Sequence, residues 1–217
     1  MLNDKNIQYT SLNLEDRLRA LYLEYKPEEV LVTSSFGASS AYLLGVISKV
    51  KPTQKVHFID TTFSFPETLS YKKKLSQKLK LQVVDVKPEK KENELTLKDE
   101  TWTKDPDRCC SVNKVKPLEK LKLGYKVWIS GLMAHQNDHR SGKELFELQD
   151  GVLKFHPLID RSDSDMKEFI SKNDLPGHPL QLCGYNSIGC FHCTKKGEGR
   201  EGRWTEGSKT ECGLHLS

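Results

Sequence analysis

The stretch VLVTSSFGASSAYLLGVI, residues 30–47, decides the fold. Val30, Leu31 and Val32 form a short apolar, β-branched run suited to a buried strand. From Ser34 to Ser40 the residues become small and polar, and from Ala41 to Ile47 they become apolar again. This order predicts a strand, a tight loop and a helix packed on a sheet. A second unit follows: KVHFID (55–60) reads as a buried strand ending in an acid, FPET (65–68) as a helix start with proline in its first turn, and LQVVDV (81–86) as a third strand. Strands alternating with helices imply right-handed crossovers, and so an α/β fold with a parallel sheet flanked by helices.

Ligands of such sheets bind beyond the carboxyl ends of the strands. Ser34, Ser35, Gly37 and Ser39 fall there on one loop, and Asp60 and Thr61 on the next. The first loop precedes a helix, so its N–H groups and hydroxyls can surround a phosphate, although a plain strand–helix turn has the same composition. It lacks the Gly-Lys-Ser/Thr of a P-loop, which disfavours that class of nucleotidase.

Farther along, residues 87–107 are charged and irregular, as expected of a mobile connection or weak helix. Residues 115–123 look helical, 127–130 read as another strand, and 163–173 as a helix capped by Ser162 or Asp163. From Gly184 onward glycines and cysteines dominate, with little apolar material, so a bound metal and the main domain have to hold this part. The expected organisation is a domain over 1–183 and a C-terminal segment over 184–217.

The 217 residues suffice for one substantial core, and 29% charged with 36% hydrophobic residues is ordinary for a globular protein. No apolar run is long enough to cross a bilayer, and the first five residues lack the pattern of a secretory signal, so the expectation is a cytoplasmic protein with no membrane partner. A formal charge of +4 is too small to argue for nucleic acid. Its distribution is uneven, with Lys195, Lys196, Arg200, Arg203 and Lys209 crowded among Glu198, Glu201 and Glu206. That tail is either a solvated mixed-charge surface or a lid over an anionic substrate.

Six cysteines in such a chain point to ligands or redox nucleophiles rather than to a disulfide framework. Cys109 and Cys110 are adjacent, and Cys190 and Cys193 are spaced to face one centre. Thiolates in two pairs suit zinc or an iron–sulfur cluster, and spacing alone does not separate the two. Cys212 is left over in a basic, glycine-flanked setting where cations favour the thiolate, the attacking species. His215 is its candidate proton or charge partner, and Cys183 has no assigned role.

These residues resemble the assimilatory adenylyl-sulfate and phosphoadenylyl-sulfate reductases. The resemblance runs from Ser34 to His215 and is carried by SSFG (34–37), Asp60-Thr61 with FPET (65–68), DPxxCC (105–110), KVxPL (114–118), Gly131-Leu132 with Gln136, GYxSIGCxxCT (184–194), GRW (202–204) and KTECGLH (209–215). It implies an adenine-nucleotide α-hydrolase-like fold in which the 34–39 loop receives the phosphosulfate. It also implies a 4Fe-4S cluster held by Cys109, Cys110, Cys190 and Cys193, with adenylyl-sulfate as the substrate of cluster-bearing members. By the same resemblance the Cys212 thiolate attacks the sulfonate sulfur, AMP leaves, and thioredoxin or a similar dithiol releases sulfite. Arg140, Lys143, Arg200 and Arg203 are then candidate anion ligands, and Lys209 a candidate for lowering the Cys212 pKa. The chain departs from the family pattern at Thr62, where many relatives carry glycine, at Met133-Ala134, where basic residues are common, and at Asn113 before Lys114. Phosphoadenylyl-sulfate as preferred substrate, a zinc-folded nucleic-acid module and an adenylating relative are the competing readings, and assembly of identical copies is left open.

Overall fold

The computed structural model describes residues 2–205 and 209–215; Glu206 of the basic tail lies outside them. Six strands form one sheet: β1 (Val30–Thr33), β2 (Lys55–Ile59), β3 (Gln82–Val86), β4 (Val127–Ile129), β5 (Phe146–Gln149) and β6 (Val152–Phe155). Their order is β3-β2-β1-β4-β6-β5. Every pair is parallel except β5–β6, so the sheet is the parallel one expected from sequence, with one antiparallel strand added at its edge. The cause is a tight hairpin in which Asp150 (φ 50°) and Gly151 (φ 79°) both take the left-handed conformation that a two-residue turn demands.

The chain runs outward from β1 to β3 and then returns to the other side of β1, so the sheet has its switch point between β1 and β4. A crevice opens at such a point beyond the strand ends. β1 and β4 are central, and Val30, Leu31, Val32, Val127, Trp128 and Ile129 are all buried. Alternation divides them between two faces. Val30, Val32, Val127 and Ile129 join the larger core, and Leu31 and Trp128 join a smaller one with Leu118 and Val152.

Helices cover both faces. The N-terminal α1 (Leu2–Thr10) and α2 (Leu14–Glu24), which the sequence reading did not resolve, are fastened by the fully buried Arg17. Its guanidinium donates to Tyr9 and Pro157 carbonyls at 2.9 and 3.0 Å and to both Asp160 oxygens at 2.7 and 2.6 Å. α3 (Ser40–Val50) is buried from Ala41 to Ile47, as its apolar sequence requires. A Cβ on its Gly45 would meet the Phe169 ring at 2.7 Å, so glycine there lets α3 pack closely on the helix that carries Phe169. α4 (Pro66–Leu79) starts at the expected proline.

Residues 90–122 form α5 (Lys90–Lys98), α6 (Thr101–Lys104), α7 (Pro106–Cys110) and α8 (Lys116–Lys122), with a π turn over Ser111–Val115. Pro117 has no N–H for the carbonyl four residues back and crowds it, and the widened turn ahead of it relieves that clash. After the short α9 (Asp138–Ser141), α10 (Asp163–Lys172) begins at Ser162, whose hydroxyl accepts from the Asp165 N–H at 3.1 Å. The described part of the C-terminal segment is irregular and joined to the domain by single bridges such as Ser64–Cys190.

Candidate active site

A cleft lies at the switch point. Its floor is Thr33, Ser34, Ser35, Gly37 and Ser39 after β1 and Ser130, Gly131 and Leu132 after β4. Phe36, in the left-handed conformation (φ 48°), is fully buried with its ring edge-on to Phe58 at 5.8 Å, and this anchors the loop while its neighbours stay at the surface of the cleft. Ser39 stands at the N-cap of α3 without a side-chain bond to the helix, so the first N–H groups of α3 are not capped by it. The Ser40 and Tyr42 N–H groups turn back to the Gly37 and Ser39 carbonyls at 3.1 and 3.2 Å, and the positive end of the helix dipole still favours an anion there. The opposite wall is formed by Asn186, Ser187, Ile188, Arg200 and Arg203, with Cys212 and His215 from the tail.

Cys109, Cys110, Cys190 and Cys193 line one small cavity beside this cleft, together with Phe63, Trp102, Asn113, Lys114 and His192. Burial pushes the Cys109 thiol up to about 11 against the hydrogen bond from Asn113, and burial also raises Cys193. Desolvated thiols of this kind ionise readily only when a cation takes the charge. The donor set is all sulfur, and Trp102, stacked on His192 at 3.5 Å, and Phe63 keep the cavity apolar. These residues fit an iron–sulfur centre. Among the described residues no group of three or more His, Cys, Asp or Glu side chains gathers as ligands of a metal ion.

Lys114 lines both cavities. Burial disfavours its charge, but Cys190, Cys212 and Cys110 around it outweigh burial and hold the ammonium charged. Cys212 is half-buried, and the neighbouring Cys110 thiol is the largest influence on its acidity. Cys110 lowers the Cys212 pKa first; burial opposes it, and Lys114, the Leu214 N–H and Arg203 bring the thiol well below its ordinary range. Cys110 is pushed up correspondingly.

The remaining sequence-derived candidates divide. Arg200, Arg203 and Lys209 gather on the Trp204 ring, with cation–centroid distances of 5.8, 4.2 and 5.6 Å. Lys209 pairs with Asp107, and the cations that lower Cys212 are Lys114 and Arg203. Arg140 lines the cleft but donates to Glu211 from Nε at 2.6 Å and from Nη2 at 2.9 Å. Lys143 is not among the cleft residues; it pairs with Glu147 at 3.3 Å. Asp60 accepts from the Thr62 N–H at 3.0 Å, and Thr61 Oγ1 lies 3.3 Å from Cys190 Sγ, so both shape the loop under the thiol cavity rather than the cleft. Thr62 has φ 67°, a left-handed conformation in which glycine would be unstrained. His215 stacks on Trp128 at 5.7 Å and 11°, with Nδ1 buried and unpartnered. Burial first, then Lys154 and Arg140, keep its imidazole neutral.

Residues 29–196 match the phosphoadenosine phosphosulfate reductase domain, a span that contains the cleft loop and all four cysteines of the small cavity. The chain belongs to the phosphoadenosine phosphosulfate reductase family. It is 37% identical to the adenosine 5'-phosphosulfate reductase of Lysinibacillus sphaericus, over 99% of this chain and 100% of that one. To the protein of the same name from Staphylococcus epidermidis it is 32% identical, over 100% and 92% of the two chains. Among solved structures it is similar to the phosphoadenylyl-sulfate reductase of Candida auris in a phosphate complex, with TM-score 0.77, 26% identity, and 89% and 95% of the two chains covered. The fold alone is shared with the FMN adenylyltransferase of Candida glabrata, at TM-score 0.60 and 14% identity over 89% and 72% of the chains.

In this member of the family, sequence reasoning passed over Lys114 and Glu211 as site residues. Lys114 was visible only as part of a motif, and nothing in a lysine-rich sequence marks the one that packing sets between the two cavities. Glu211 carried a signal in its place next to Cys212, but its role depends on Arg140, seventy-one positions away.

Proposed function

We propose that this protein reduces adenylyl-sulfate to sulfite and AMP, with Cys212 as nucleophile and a thioredoxin-like dithiol as electron donor. The observation that carries the reading is one thiol, Cys212, lining the switch-point cleft together with the cations Lys114, Arg200 and Arg203 and the loop after β1. The curated relatives named adenosine 5'-phosphosulfate reductase support adenylyl-sulfate over its 3′-phosphorylated form. Six unbridged cysteines accord with work in the cytoplasm.

In this mechanism the adenylyl group and phosphosulfate occupy the cleft with the anion over residues 34–39 and the start of α3, where N–H groups and hydroxyls converge. Arg203 and Lys114 offset the negative charge shared by substrate and thiolate. The Cys212 thiolate attacks the sulfonate sulfur; a bond from Cys212 Sγ to sulfur forms, the sulfur–oxygen bond to the phosphate breaks, and AMP leaves with that electron pair. The dithiol then attacks Cys212 Sγ, sulfite leaves with the electrons of the bond between the two sulfurs, and the second thiol frees Cys212 as the donor closes its disulfide. Two electrons pass from dithiol to sulfur.

Cys109, Cys110, Cys190 and Cys193 would hold a 4Fe-4S cluster, which when bound serves as a structural and electrostatic element beside the substrate. With Cys110 as a ligand its influence on Cys212 is lost, and Lys114, the Leu214 N–H and Arg203 are the groups that oppose burial at that thiol. Residues 184–217 then act as a segment that closes the thiol cavity and carries the nucleophile.

Intact-mass spectrometry of anaerobically purified protein incubated with adenylyl-sulfate and no reductant tests this. The protein is expected to gain one SO3 on the peptide containing Cys212, and to lose it as sulfite when reduced thioredoxin is added. An unmodified protein overturns the reading, and faster labelling by phosphoadenylyl-sulfate overturns the substrate.

A further inference from the structure

Glu211 is the most completely satisfied carboxylate near the cleft. Its side chain is fully buried. Oε2 accepts from Arg140 Nε at 2.6 Å and Asn137 Nδ2 at 3.0 Å, and Oε1 from Arg140 Nη2 and Arg200 Nη2, each at 2.9 Å. Oε1 also accepts the N–H of Cys212 at 2.7 Å. Arg140 is held in turn by Gln136, and the N–H of Arg140 donates to the Asn137 side chain at 2.9 Å, so α9 presents the arginine in a fixed fork. Burial opposes ionisation of Glu211, and Arg140 and Arg200 overcome it and hold the carboxyl far below its usual range.

Two roles are compatible with a carboxylate on two cleft arginines. It could be a stand-in for the substrate anion, displaced on binding, or a permanent tie between the tail and the domain. A stand-in would be shallow and weakly held. Glu211 is deep, bidentate on Arg140 and bonded to the backbone of the next residue, so removing it strands two buried guanidinium groups. Arg203, Lys114 and the start of α3 remain in the cleft without it.

Resting on the reading of Cys212 as nucleophile, we propose that Glu211 is a positioning residue: its bonds to Arg140, Arg200 and the Cys212 N–H fix the tail so that the thiol faces the substrate sulfur. Arg140 thereby serves the nucleophile through its fork, while Arg200 joins Glu211 by Nη2 and keeps its Nε without a partner at the cleft. The substrate is recognised by the loop after β1, Arg203 and Lys114.

The test is single-turnover formation of the SO3 adduct on Cys212 with adenylyl-sulfate, alongside AMP affinity. Glu211→Gln and Arg140→Gln are each expected to slow adduct formation at least 100-fold and leave the AMP dissociation constant within 3-fold, and the double variant to be no slower than the worse single one, as members of one unit behave. Hydrogen exchange in residues 209–215 should rise in all three. If Glu211→Gln does not fold, Glu211→Asp, which keeps the charge on a shorter arm, is expected to lose at least 10-fold in adduct rate at unchanged AMP affinity. Adduct formation at the native rate, or AMP binding tightened more than 3-fold as for a displaced stand-in, overturns the inference. A native protein that forms no adduct overturns the Cys212 reading instead.

Discussion

Lys154→Met is expected to stabilise the protein at pH 7, and the gain to fade as the pH rises. Lys154 lies fully buried on β6, in register with Trp128 on one side and Glu147 on the other. Burial first, then Lys143, lowers its pKa from 10.5 to about 8. Between these two values the unfolded chain binds a proton that the folded one does not, so this group adds stability as pH rises from 8 to 10.5; below 8 both states are charged and the full cost of burying the ammonium stands. A shift of that size corresponds to about 3 kcal/mol. The ammonium sits 4.8 Å from the Trp128 ring centroid and recovers about 1 kcal/mol of this as a cation–π contact. Methionine fills similar space without a charge, so the net gain at pH 7 is about 2 kcal/mol, or a rise in Tm of about 4–8 °C for a chain of this size. Urea unfolding of both proteins at pH 7, 8.5, 9.5 and 10.5 reads the difference, in which the other titrating groups cancel. A variant less stable than the native protein at pH 7, or a gain that stays level through that range, refutes the reasoning. Because Lys154 also lowers the His215 pKa, the imidazole of the variant should titrate at higher pH by proton NMR.

Two further outcomes follow from close packing around the site. In Gly189→Ala the new methyl would come within 2.4 Å of the Arg203 guanidinium, a flexible group that can swing away. The KM for adenylyl-sulfate in a sulfite-release assay is expected to rise about 10-fold, the equivalent of one charge-assisted hydrogen bond, with Tm little changed. Asn113→Leu removes the donor to the Cys109 carbonyl (3.0 Å) and Thr96 Oγ1 (3.0 Å) and the acceptor of Asn93 (2.7 Å), all buried or partly so. It should cost about 2–3 kcal/mol in thermal or urea unfolding and lower the iron content of anaerobically purified protein.

The α/β fold was readable from residues 30–47 because a β-branched run, a small polar loop and an apolar helix differ sharply in composition. The helices of residues 90–110 were harder, since their charged residues face solvent while single side chains such as Thr96 and the following Asn113 hold them inward. The β5–β6 hairpin left a usable mark, Asp150-Gly151 between FELQ and VLKF, that went unread. In the site, the cysteines were legible because they are few and their spacing is restrictive. The basic residues were not, because charge composition treats Arg140, Arg200 and Arg203 alike, whereas the fold gives the first two to a buried carboxylate and leaves Arg203 against Trp204.

What holds the tail explains why both an apolar and an ionic attachment are present. Leu214 packs against the smaller core of Leu31, Leu118, Trp128 and Val152, and His215 stacks on Trp128. Partial burial of one leucine contributes on the order of 1 kcal/mol, whereas ordering the backbone of residues 209–215 costs on the order of 10 kcal/mol. Apolar contact alone therefore leaves the tail undocked. The charge-assisted bonds of Glu211, at about 1.5–3 kcal/mol each, make up most of the difference. The resulting balance is close to even. On the proposed two-step mechanism, a tail held much more firmly could not turn Cys212 from a nucleotide in the cleft to a dithiol arriving from solvent, and one held by Leu214 alone would not hold the thiol at the sulfonate. In that mechanism this balance lets the tail be ordered in the cleft without being locked there, and the buried pair of Glu211 and Arg140 supplies the larger share of the attachment.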